Sequence, residues 1–239
     1  MRKVVFNRRI TIFLTDIVPC SNEIRRKIAA AWPSACIAPN IYIAPQPILG
    51  APLMEENGPW VLREDMTMGR EFIGVENNRI DFISNVTSKD ESKCAERCLN
   101  RLLFVLKTLD RHDIIRVAYH PSTAIEDITD VQDYFDNLVK LPTYEGSNPI
   151  GVHVMFTYKT KKAILERELL VNVTSRISQG TKTERDGNKA VNTSVIPIVD
   201  NDINTEELKE GALSEEEVRD FILKAVGWNN TLIDNYVKA

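Results

Sequence analysis

The chain has 239 residues, 43% of them apolar and 27% charged, which excludes wholesale disorder and allows a core that needs no disulfide or metal staple. A formal net charge of −4 argues against duplex binding, which usually goes with a basic excess. The charge is split: residues 1–50 carry seven Lys/Arg against two acids, and residues 200–239 carry ten acids against four Lys/Arg. Such a split reads as two solvated surfaces of opposite sign, or as a basic end docking on an acidic one, within the fold or between subunits.

Cys20, Cys36, Cys94 and Cys98 follow no signal peptide, so reduced thiols and a cytoplasmic location are expected. The sequons at Asn85, Asn172, Asn192 and Asn229 are then chance matches. Ile28 to Met54 holds no charge, but Pro33, Pro39, Pro45, Pro47 and Pro52 interrupt it, so it is not a membrane span.

In chain order, Arg9 to Val18 reads as a strand ended by Pro19. Ser21 or Asn22 caps a helix running to Trp32, with Ile24, Ile28, Ala31 and Trp32 on one face. Residues 33–59 form a proline-punctuated apolar arm with a short strand at Ile41-Tyr42-Ile43. Pro59 to Met66, Arg70 to Glu76 and Arg79 to Val86 then read as an antiparallel meander with turns at Gly69 and Asn77-Asn78.

Ser88 to Asp110 is the strongest helix, with Ser88 and Glu91 at capping-box spacing and a stripe from Ala95 to Leu109. Asp113 to His120 follows as a strand closed by Pro121, and Asp130 to Lys140 as a shorter helix. Ile150 to Tyr158, Ile164 to Ser178 and Val191 to Val199 read as three more strands, with a hairpin tip at Thr181 to Ala190. A helix from Ser214 to Val226 ends at Gly227, followed by a short helix from Asn229 to Val237. The expected class is α+β: mostly antiparallel sheets with packed helices. The halves 1–128 and 129–239 read as two similar β-β-β-α lobes or as one compact domain.

Candidate chemistry is sparse. There is no phosphate loop, GxGxxG, GxSxG elbow or HExxH, and both Glu-x-Lys tripeptides fall on predicted helices. No cofactor motif and no complete metal-ligand set stands out. Cys94 and Cys98 share one helix face and read as core residues. His153 points to solvent from its strand, and His112 lies at a turn. Arg116, Ala118 and His120 share one strand face, so Arg116 and His120 are the candidate catalytic pair, with Glu126 or Asp127 as the partner acid. Glu166 and Glu168 read as one face of a long strand, with Arg176 farther along. The arm from Ala35 to Trp60 is apolar and irregular, and it must be buried across its own sheet, in another subunit or in a partner protein.

Pro59-Trp60, the meander ending Asn78-Arg79-Ile80-Asp81-Phe82, the helix 88–110 and Ile115-Arg116-Val117-Ala118-Tyr119 together resemble a sporadically distributed, uncharacterised bacterial family of similar length. The resemblance covers residues 59–120 and the C-terminal helix. It implies a bacterial accessory protein and supplies no catalytic residue. Three functions are therefore expected in descending order. The first is a non-catalytic interaction, accessory or regulatory module acting on another protein or on itself through residues 35–60. The second is an enzyme built on Arg116 and His120. The third is nucleic-acid binding through Arg2, Lys3, Arg8, Arg9, Arg25, Arg26 and Lys27.

Overall fold

The computed structural model describes residues 1–34, 36–39, 59–63, 71–88, 90–128, 130–139, 152–186 and 189–238. Within these, nine strands form one antiparallel open sheet and four helices pack on it, an α+β fold. The elements run β1 Arg2–Leu14, α1 Asn22–Ala31, β2 Cys36–Pro39, β3 Trp60–Arg63, β4 Glu71–Glu76, β5 Arg79–Ser84, α2 Glu91–Thr108, β6 Ile114–Glu126, α3 Val131–Val139, β7 His153–Ile164, β8 Arg167–Asp186, β9 Lys189–Thr205 and α4 Glu215–Lys238. The spatial order is β2-β3-β4-β5-β1-β6-β9-β8-β7.

The order of elements repeats. β1 is followed by a helix, then a meander whose last strand, β5, returns to pair with β1, then a long helix. β6 is followed by α3, then a meander whose last strand, β9, returns to pair with β6, then α4. β1 and β6 pair antiparallel along the middle. The first meander has four strands, β2 to β5, and the second three, β7 to β9; each unit carries a leading strand and helix ahead of its meander, and the second begins at β6.

Side-chain alternation divides the sheet into two faces. Ile10, Ile12 and Leu14 on β1 face the helices, as do Val117 and Tyr119 on β6 and Ile203 on β9, where they meet the apolar stripes of α1, α2 and α4. A second cluster packs Phe135 and Tyr134 of α3 and Ile233 and Tyr236 of α4 against Ile125, Ile177 and Val199. The stripe expected on α2 is buried throughout, Cys94 and Cys98 included.

Several boundaries differ from the sequence reading. The cap of α2 is Asp90, whose carboxylate accepts from the Lys93 amide at 3.1 Å, because Glu91 is drawn inward instead of back to Ser88. β6 runs through Pro121, so the proline does not close the strand. The long strand expected at 164–178 is broken by a two-residue turn: Leu165 takes φ 50°, and β7 and β8 pair on either side from Ile164↔Arg167. Glu166 is therefore a turn residue and does not share a strand face with Glu168. Gly227 lies inside α4, which continues to Lys238 where two helices were expected. One glycine costs only about 1 kcal/mol in a helix, which Phe221, Ile222, Val226 and Ile233 on the buried face offset. The capping box at Ser214 and Glu217 forms as expected, with reciprocal bonds of 3.1 and 2.8 Å. The strand at Ile41-Tyr42-Ile43 and the turn at Gly69 lie outside the described residues.

The deepest polar contact joins four elements. Arg8 is fully buried and donates to both Glu91 carboxylate oxygens at 2.7 and 2.8 Å, to Ser84 Oγ at 3.1 Å and to the Val86 carbonyl at 2.6 Å. Tyr119 Oη donates to Glu91 at 2.7 Å. Burial lowers the Arg8 pKa, and the hydrogen bond and charge of Glu91 outweigh it, so the guanidinium is held above its ordinary value. Truncating one member of such a pair leaves the other charged and unpaired in the core. Glu91→Ala should lower stability by about 3–5 kcal/mol in urea unfolding, while Arg8→Met with Glu91→Leu should recover much of that loss. A cost under about 1 kcal/mol for Glu91→Ala would mean that the pair is not structural.

Candidate functional site

The face of the sheet turned away from the helices is polar. It carries Arg79 and Asp81 on β5, Arg9, Thr11 and Phe13 on β1, Arg116 and His120 on β6, Asp200, Asp202 and Asn204 on β9, and Thr174 and Arg176 on β8. Long side chains cover the short ones. Asp81, only 5% exposed, accepts from Thr11 Oγ1 at 2.5 Å and lies 3.0 Å from Arg79 Nε. The Arg116 guanidinium sits 4.8 Å from the centroid of the Phe13 ring and donates to Asn204 Oδ1 at 2.8 Å.

At the centre of this face the ladder between β6 and β9 opens. Pairs run at Ala118↔Asn204 and Tyr119↔Ile203, then resume at Ser122↔Asp200. The two positions between, His120 and Pro121 opposite Asp202 and Asn201, are unpaired. A proline has no amide hydrogen and cannot complete a ladder, so it survives in a central strand only where the ladder is already interrupted. Over this opening lies a concavity of about 400 Å³ lined by Arg9, His120, Pro121, Arg176, Asn201 and Asp202, among others. That volume falls in the range of small-molecule sites.

Asn201 belongs to the helix side of the sheet. It is 2% exposed and donates to Asn229 Oδ1 at 2.7 Å on α4, yet it still lines the concavity. Asn201 Oδ1 is buried with no hydrogen-bond partner among the described residues.

His120 Nδ1 lies 3.3 Å from Asp202 Oδ1, and its cross-strand neighbour on β1 is Arg9. Burial pushes the imidazole pKa down to about 4, with Arg9 and Arg116 adding to the fall and Asp202 opposing it. A neutral imidazole whose Nδ1 proton faces Asp202 keeps a lone pair at Nε2 for a ligand donor. Ser122 and Thr174 also line the concavity, but neither bonds to His120 among the described residues, so no nucleophile is paired with the imidazole. Arg176 has no ion-pair partner among the described residues although Asp200 faces it across the ladder.

Of the two predicted site residues, His120 lines the concavity. Arg116 shares its face but is engaged by Asn204 and Phe13. The acid beside His120 is Asp202, not Glu126 or Asp127: Glu126 pairs with Lys182 at 3.1 Å near the far end of β6. Asp200, Asp202 and Asn201 were missed because the last strand was ended at Val199. The alternation Asp200-Asn201-Asp202 directly after an apolar strand was the available signal. The Cys98 thiol is pushed up to about 12 by burial and is no nucleophile. Among the described residues no group of three or more His, Cys, Asp or Glu is placed to hold a metal ion.

The basic N-terminal residues are dispersed. Arg8 is buried, Arg9 faces the open side, Arg2 pairs with Glu126 at 3.7 Å and Lys3 with Asp234. No helix among the described residues is long and apolar enough to cross a membrane. In comparisons with family models, curated proteins and solved structures, nothing matches this chain.

The depressed His120 pKa couples site to stability. The unfolded chain protonates this group near 6.5 and the folded protein only near 4, so the unfolded state binds the extra proton between those values. Stability should fall as pH drops from 6.5 towards 4. Urea unfolding at pH 7 and at pH 4.5 should show that His120→Gln loses about 2–3 kcal/mol less than the wild type over this interval. Equal losses in the two proteins would place the imidazole in solvent.

Proposed function

We propose that the open face of the sheet binds a small polar ligand at the β6–β9 opening. The ligand carries an anionic group for Arg9 and Arg176, and a hydrogen-bond donor for Asp200, Asp202 and the His120 Nε2 lone pair. The observation that supports this reading is the interrupted β6–β9 ladder at Pro121, which underlies a concavity with both signs of charge on its rim. Arginine recognises carboxylate and phosphate by paired, charge-assisted bonds, and an unpaired Arg176 is free to do so. His120, oriented by Asp202, supplies a proton acceptor if the ligand is also turned over, which is the form the enzyme reading takes.

Thermal shift against a panel of amino acids, sugar phosphates and nucleoside monophosphates tests this directly. At least one anionic compound should raise the wild-type melting temperature, and Arg176→Gln should weaken its binding about tenfold or more in calorimetry. No shift from any compound, or equal binding by the variant, would remove the proposal.

A second reading keeps residues 35–60 as a protein contact. Its supporting observation is that the two described ends of this segment, β2 and β3, pair with each other at one edge of the sheet from Cys36↔Arg63 to Pro39↔Trp60, where Trp60, Val61 and Leu62 are buried. Replacing residues 41–57 by a short Gly/Ser linker should leave the urea midpoint near that of the wild type. A collapse of stability would assign those residues to the chain's own core.

A further inference from the structure

The paired strands β8 and β9 run past the rest of the sheet. β7 stops pairing at His153↔Ser178, and β6 at Ala124↔Ile198, while β8 and β9 continue through Gly180↔Ile196 and Thr183↔Thr193 to Asp186↔Lys189. The result is a projecting two-stranded ribbon. It is anchored at its root: the Ile198 side chain lies over Gly180, so close that a Cβ there would sit 2.0 Å from Ile198 Cδ1, and Lys182 pairs with Glu126 at 3.1 Å. A two-stranded ribbon is marginal by itself in water.

The free edges of the sheet are unequally protected. β7, the long outer strand, carries Lys159, Lys161 and Lys162, charges that oppose pairing with another chain. The free edge of β8 carries Lys182 and Glu184. The free edge of β9, Ala190 to Val195, carries no charge and no proline. All six of these residues are exposed, Val191 by 68% and Val195 by 52%. The segment is also self-complementary when read antiparallel about Thr193. Val191 falls opposite Val195, Asn192 opposite Ser194, and Thr193 opposite itself. Paired β-branched residues, paired hydroxyls and an amide facing a hydroxyl are favourable cross-strand neighbours.

We propose that Val191 to Val195 pairs antiparallel with the same segment of a second copy, on a two-fold axis at Thr193, so that two nine-stranded sheets join edge to edge. A two-fold contact is isologous, and a segment whose residues make compatible pairs with its own reverse meets that condition. Five residues on each side bury less than a standard interface, so the dimer is expected to be weak and concentration-dependent.

Sedimentation velocity on the full chain, from low to high micromolar concentration, tests this with Thr193→Lys and Thr193→Glu. The wild type should pass from monomer to dimer. Each variant alone should stay monomeric, because it places like charges opposite each other on the axis. An equimolar mixture of the two should dimerise, because the charges then oppose. Thr193→Cys should also give a covalent dimer on mild oxidation that the wild type does not give. A wild type monomeric at every concentration overturns the proposal, as does a dimer that Thr193→Lys leaves intact. Loss in both variants without recovery on mixing overturns it too.

Discussion

The buried Arg8–Glu91 pair is the constraint around which the first half is arranged. Arg8 lies on a central strand, Glu91 at the first turn of α2, Ser84 and Val86 at the end of β5, and Tyr119 on β6. Desolvating two charges costs several kcal/mol each, and their attraction repays this only when the remaining donors and acceptors are satisfied. The surrounding residues do that, and they thereby fix where the N-terminus of α2 sits on the sheet. A carboxylate at that end of a helix also meets the positive end of its dipole. The pair contributes register more than net stability, since an apolar pair of the same volume would pack with less penalty.

Arg8 and Arg9 show how the core and the candidate site depend on one strand. Alternation sends Arg8 into the helix layer and Arg9 onto the open face, where His120 is its cross-strand neighbour. A one-residue slip of β1 would exchange them, burying Arg9 against apolar neighbours and withdrawing Arg8 from Glu91. The same bonds that hold α2 in place therefore hold an arginine at the rim of the concavity. The second half has a milder counterpart: Asn201 on β9 meets Asn229 on α4 at 2.7 Å, polar but uncharged.

What the sequence made legible follows from how local the signal is. The helix at 91–108 and its buried stripe rest on side chains three and four residues apart, and the Asn77-Asn78 turn rests on an Asn that tolerates φ 53°. Both were readable. The turn at Leu165-Glu166 was not, because a leucine at φ 50° gives no turn signature and is held there by the β7–β8 ladder and by Asp220, which accepts from its amide at 2.9 Å. The cap of α2 was misplaced by two residues because the pull on Glu91 comes from Arg8, 83 positions away. Likewise, His120 was singled out from its strand, but Asp202 came from a strand nearly the length of the second half away. Distant pairing leaves no periodicity to read.

Pro121 carries the last step. Taken locally, a proline after the run Asp113 to His120 ends a strand, and that inference failed because both neighbours, β1 and β9, continue past it. A central strand that keeps a proline must leave a ladder position open, and an open position in the middle of a sheet costs the backbone groups around it their partners. Here the open position lies beneath a concavity rimmed by two arginines and two aspartates, beside a histidine held neutral by burial. A sheet selected only for stability would close that gap with any residue carrying an amide hydrogen. The local violation of strand rules and the concavity therefore coincide at Pro121.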